Sequence, residues 1–189
     1  MLPNEFADAK LLWKMFYAEQ CFKHAKSAAE HVLKEQMEED NPLFYPLITA
    51  LHVCYGKPFR PSRGVGRLEE EIIPPQHLDL HHLLLKHRDQ TFAHSDATDF
   101  ELPDYGPANQ VGVVRFASEI RLYGTEFQTR FPLMPSVIDL CGMLQEKASY
   151  DVCKLFQRYT GHVPRQDGEY AINVCDPAGD FFRRINRCR

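Results

Sequence analysis

Between residues 5 and 38, apolar and small side chains return every three or four positions: Trp13, Phe16, Tyr17, Cys21, His24, Ala25, Ala28, Ala29 and Val32. That is the period of an amphipathic helix, and Lys and Glu fill its other side. Pro42 bars continuation, because it lacks an N–H and clashes with the preceding turn. "NPLFYPLITALHVCYG", 41–56, is nearly all apolar. Asn41 can cap it, Pro42 or Pro46 can sit in a first turn, and Gly56 can stop it, so a short buried helix is predicted. Residues 57–75 read as a loop from their Pro and Gly. Lys57, Arg60, Arg63 and Arg67 come first in it, then Glu69, Glu70 and Glu71. A third helix is predicted over about 75–93, with Leu78, Leu80, Leu83, Leu84, Leu85 and Phe92 as its apolar positions. A fourth begins near Pro135, with a stripe from Val137, Leu140, Cys141 and Leu144 through Ala148 and Val152 to Leu155, Phe156 and Tyr159. Gly161 is its expected stop.

Residues 97–109 are turn material. "VGVVRF" and "SEIRLY" then switch to β-branched, alternating character, which predicts a small hairpin or edge appendage. "EYAINV" is a candidate strand in an otherwise irregular extension, 161–189. Long amphipathic helices bury their stripes most readily against each other. The expected fold is therefore mainly α: a bundle of four to five helices with a small peripheral β appendage. One domain is expected over 1–189, with its helical core at about 5–160.

Composition narrows the classes. Hydrophobic residues make up 44% and charged residues 25% of the 189, as in an ordinary globular protein rather than a disordered one. The net charge of −4 excludes a generally basic nucleic-acid coat, so any contact with nucleic acid must be a local patch. The six Cys form no CxxC pair, which disfavours zinc knuckles and reads as reduced, mostly buried thiols. No signal peptide and no membrane-spanning apolar run are visible, so a soluble cytoplasmic protein without cofactor is expected.

Chemistry concentrates in "KHRDQTFAHSD", 86–96, where two His, an Arg and two Asp surround only Phe92 and Ala93 as apolar side chains. On an ideal helix Arg88 and His94 lie about 120° apart in rotation. A site using both must break the helix near Ala93 or draw on two molecules about a twofold axis. The plain alternative is a solvated helix end where Arg and His complement the dipole.

"HRDQTFAHSD" resembles the signature of HEPN domains, in its "RD…AH" form the abortive-infection-associated HEPN-like branch. The pattern is an Arg, a polar residue and a His four to six residues after the Arg; here these are Arg88, Asp89 and His94. The resemblance implies a helical bundle and, as in many members, metal-independent RNA cleavage by Arg88, Asp89 and His94, with His87, Ser95 and Asp96 supporting. The chemistry suits the residues. A base near neutral pKa can activate a ribose 2′-OH, and a guanidinium opposes the charge of the phosphorane. It further implies a homodimer, RNA as a partner, and a partner or antitoxin protein, in a toxin, antiphage or stress setting. A non-catalytic nucleotide-, RNA- or protein-binding module is the alternative. Members linked to nucleotidyltransferases carry a Tyr two residues after the His. Here Asp96 stands in that place, so the modified-Tyr arrangement lacks its tyrosine.

Three other features compete. His77 and His81, four apart with His82 beside them, have metal-ligand spacing; the plain alternative is polar histidines facing solvent. "SRGVGR", 62–67, is a candidate anion loop without the Lys-Ser/Thr of a P-loop. Arg183, Arg184, Arg187 and Arg189 next to Phe181 and Phe182 are either an RNA-contacting tail or a solvated tail with two Phe packed on the bundle.

Overall fold

The computed structural model describes residues 3–38, 40–63, 66–89, 100–102, 106–108, 111–116, 119–124 and 131–185. Four α-helices carry the fold: α1 (Pro3–Lys34), α2 (Phe44–Gly56), α3 (Leu78–His87) and α4 (Met134–Gln157). The long helices α1 and α4 pack together, α2 packs on α1, and α3 packs on α2. The expected mainly α bundle with a small β appendage is the architecture found.

The core runs along α1. Met15, Ala18, Phe22, Ala25, Ala29 and Val32 meet Ile48, Leu51 and Tyr55 of α2, Leu84 of α3, and Val137, Leu140, Cys141, Leu144 and Ala148 of α4. The α4 stripe is the expected one. The α1 stripe is the expected one from Cys21 through Ala25, Ala28 and Ala29 to Val32, but Trp13, Phe16 and His24 are exposed, and Leu12, Met15 and Phe22 take inward positions. In α3 the expected Leu78, Leu80 and Leu85 pack against the core without being fully buried. Of its described leucines only Leu84 is fully buried, while His81 and His87 occupy core positions.

Helix ends follow local chemistry. α1 closes short of residue 38 with a Schellman motif: the Met37 N–H donates to Val32 O at 3.1 Å and the Gln36 N–H to Leu33 O at 3.3 Å. Gln36 takes the left-handed conformation this requires (φ 46°), and Met37 and Val32 are both buried. Asn41 acts just ahead of α2, its Oδ1 accepting the Leu43 N–H at 2.9 Å. α4 stops at Gln157, and Gly161 falls in the 3₁₀ turn Thr160–His162 that follows.

Strands pair in three two-stranded antiparallel sheets among the described residues. β1 (Phe100–Leu102) pairs β2 (Gly106–Ala108), where only turn was expected. β3 (Val111–Phe116) pairs β4 (Glu119–Gly124), the predicted hairpin, with Val111 opposite Gly124 and Phe116 opposite Glu119. β5 (Tyr170–Ile172) pairs β6 (Phe182–Arg184), so the 161–189 extension is not simply irregular. Phe181 anchors this last hairpin: it is buried, stacks on Tyr159 at 4.2 Å, and joins Ala9, Leu12 and Leu155 in a second small core. Arg183 and Arg184 are exposed, while Arg187 and Arg189 lie outside the described residues.

Candidate functional site

Arg88 follows directly on α3. Its N–H donates to Leu84 O and Leu85 O, and Arg88 and Asp89 carry the chain on in a wider, π-type turn. Such turns re-aim side chains that an α-helix would hold on fixed faces. His94, Ser95 and Asp96 lie outside the described residues, as does the expected helix end near Ala93.

Asp89 gathers two arginines. Arg88 Nη1 donates to Asp89 Oδ1 at 2.8 Å. Arg60 donates from Nε to the same oxygen at 3.1 Å, and its Nη2 meets Oδ2, so the Arg60 pairing is two-pronged. Asp89 thus orients both Arg88 and Arg60. Burial, then the nearby Arg88 and Arg67, holds Arg60 below the usual arginine value, and it remains a cation at neutral pH.

The seat of Arg88 depends on Gly56, the last residue of α2. A Cβ at Gly56 would come within 3.0 Å of Arg88 Cγ and 3.1 Å of Cδ. The bare backbone there lets the arginine stem lie against the helix end. Arg88 Nε is buried without a hydrogen-bond partner, so its guanidinium is held by Asp89 alone among the described residues.

Arg88, Arg60, Lys57 and Lys14 line one cleft of about 290 Å³ with Trp13, Tyr17, Pro58, Pro61, Ser62 and Gly66. Four cations thus share a cleft in a chain of net charge −4, and no carboxylate is among its described lining. Lys14 donates to Arg67 O at 2.7 Å, tying α1 to the 57–67 loop. Lys57 Nζ sits 5.3 Å from the Tyr17 ring centroid, and the Tyr17 hydroxyl raises the lysine pKa. Trp13 and Tyr17 stack at 5.1 Å with planes 6° apart. Within the candidate anion loop, Ser62 Oγ donates to Gly66 O at 2.9 Å and Gly66 adopts φ 81°.

His87, expected to support the site, points elsewhere. It is buried, its ring 5.4 Å from that of His52. Burial, with His52 and Lys86 adding to it, pulls its pKa down to about 2, so it is neutral and no proton shuttle near pH 7. The histidines with metal-ligand spacing diverge. His77 meets Asp139 at 3.1 Å, while His81 is buried with its Nδ1 2.7 Å from Tyr55 Oη. His82 pairs with Glu70. Among the described residues no three His, Cys, Asp or Glu gather as a metal site.

Arg88 and Asp89 stand out in the sequence itself, whereas nothing local to Lys14 marks it. For Lys57 and Arg60 the signal is the run of four cations in 57–67. Neither family models, nor curated proteins, nor solved structures give a match to this chain. Among the described residues no helix is long and apolar enough to cross a membrane.

Proposed function

We propose that the chain is a HEPN-like, metal-independent endoribonuclease of the cytoplasm, serving as a toxin or in antiphage or stress defence. The observation that carries the reading is the cationic cleft at Arg88 in an otherwise acidic chain. Phosphate oxygens are the natural occupants of such a cleft, and RNA supplies them in series. In this reading His94 takes the proton from a ribose 2′-OH and O2′ attacks the adjacent phosphorus. The P–O5′ bond breaks, and the leaving oxygen takes a proton from solvent. Arg88 opposes the charge of the phosphorane, held by Asp89. Two copies meet about a twofold axis near residues 88–94, over an interface on the order of 1,000 Å² or more.

The test is digestion of RNA by purified protein with chelator present. Products should end in 2′,3′-cyclic phosphate, and Arg88→Ala and His94→Ala should each abolish cleavage. The double variant should be no worse than either single one, since the two act as a unit. RNA left intact by the wild-type protein, or cleavage indifferent to both substitutions, overturns the enzymatic reading.

One observation favours a second reading, a binding module without catalysis. The described imidazole next to Arg88, His87, is buried and neutral, so cations for binding outnumber groups able to move a proton. RNA bound but uncut in the same assay would establish it.

A further inference from the structure

The cleft offers more than charge. Trp13 lines it, stacked on Tyr17; the residue is 40% exposed and also borders a neighbouring cleft beside Phe16 and Val152. Lys57, Arg60 and Lys14 surround the same space, with Arg88 among its lining. An exposed indole beside several cations is what a nucleotide needs and what a bare anion does not. A base gains by stacking on an aromatic ring, and its phosphate gains from lysine and arginine. The volume of about 290 Å³ suits one nucleotide rather than a duplex.

Lys14, next to Trp13 in sequence, is tied to the Arg67 carbonyl, and Lys57 Nζ lies 5.3 Å from the centre of the Tyr17 ring. Both contacts join α1 to the 57–67 segment. We infer that this cleft is a nucleotide subsite, with the base on Trp13 and the phosphate on Lys57, Arg60 and Lys14. The inference deepens the RNA reading above and rests on it only for the source of the nucleotide. A nucleotide unit of single-stranded RNA and a free mononucleotide share this chemistry.

The chain contains a single tryptophan, Trp13, which also borders a neighbouring cleft beside Phe16 and Val152, so competition by phosphate and the Lys57→Ala variant assign a fluorescence change to this one. Wild-type protein should be titrated with adenosine 5′-monophosphate, adenosine, inorganic phosphate and a six-residue oligoadenylate. The monophosphate should quench Trp13 saturably. Adenosine should need at least about tenfold higher concentration, and phosphate should bind competitively without quenching, since each lost ionic contact is worth roughly a factor of ten. Lys57→Ala, at an exposed side chain, should weaken the monophosphate about tenfold and leave the far-UV circular dichroism unchanged. Oligoadenylate binding more tightly than the monophosphate identifies an RNA strand as the source; equal binding identifies the free nucleotide. Absence of quenching, or quenching that adenosine reproduces and Lys57→Ala does not alter, overturns the subsite. Because the readout is binding, loss of the nuclease reading leaves the subsite standing. Intact cleavage without quenching removes the subsite alone.

Discussion

Acidification from about pH 7.5 to 5.5 should cost this fold roughly 4 kcal/mol, through three imidazoles. His52, His81 and His87 are 0%, 2% and 1% exposed. Burial is the main cause that lowers their pKa values from 6.5 to about 3, about 4 and about 2. The surroundings modify this. The Leu84 carbonyl on His52 and the Glu70 carboxylate near His81 pull upward; His82 and Arg60 near His81, and His52 and Lys86 near His87, push down. A depressed base favours the neutral form in the folded state. Its stability is therefore fully present above pH 6.5 and is lost as the unfolded chain takes up protons that the folded chain refuses. One pH unit below 6.5 each group contributes about 1.4 kcal/mol of loss, and three give about 4. The loss continues toward the folded pKa values. A typical domain holds only about 5–15 kcal/mol in total, so the change is large. Urea denaturation at matched ionic strength, kept above pH 5 where carboxylates contribute little, reads it directly. Thermal melts should fall by on the order of 10 °C for a chain of this size. His87→Phe should remove about a third of the dependence. A midpoint that stays flat from pH 7.5 to 5.5 would refute the burial of these imidazoles as neutral groups.

Gly56→Ala should crowd the Arg88 stem and weaken RNA binding several-fold, while denaturation changes by less than about 1 kcal/mol, because the better helix former offsets the clash. Asp89→Ala should destabilise by about 1 kcal/mol, a modest figure because the pairing is about one-third exposed, leaving Arg60 and Arg88 without their shared partner; chemical denaturation measures it. Phe22→Ala, in the fully buried centre of α1, should cost about 3–5 kcal/mol by the same method. Gln36→Gly should stabilise by about 1 kcal/mol, since the left-handed position at the end of α1 suits glycine; a higher Tm is the readout.

The long helices were legible because periodicity encodes burial over many turns. Which face of α1 turns inward over 11–17 was not. Leu11, Leu12, Trp13, Met15, Phe16 and Tyr17 put apolar side chains nearly all round the helix, so period alone cannot separate the core from the cleft wall. In α3 the leucine run marks the core-facing side but not the two histidines that share it. His81 and His87 are inside because Tyr55 and His52 of α2 meet them there, and such partners are invisible in a linear sequence. The Arg60–Asp89 pairing spans 29 residues of chain, which hid Arg60 from any local motif. β1 and β2 were missed because three-residue strands are too short to show alternation among turn-forming residues. Arg88 and Asp89, by contrast, were found from chemistry: charge concentrated where an apolar helical pattern gave out.

The most direct test of the account is the salt dependence of binding to a short single-stranded RNA, followed by fluorescence anisotropy. If Lys14, Lys57, Arg60 and Arg88 act together on phosphates, log affinity should fall with log salt with a slope of about −2 to −3. Arg88→Ala should make that slope shallower by about 0.7 and weaken binding at every salt concentration. A slope near zero, or an Arg88→Ala variant that binds as wild type does, would contradict the claim that this cleft is where the chain meets RNA.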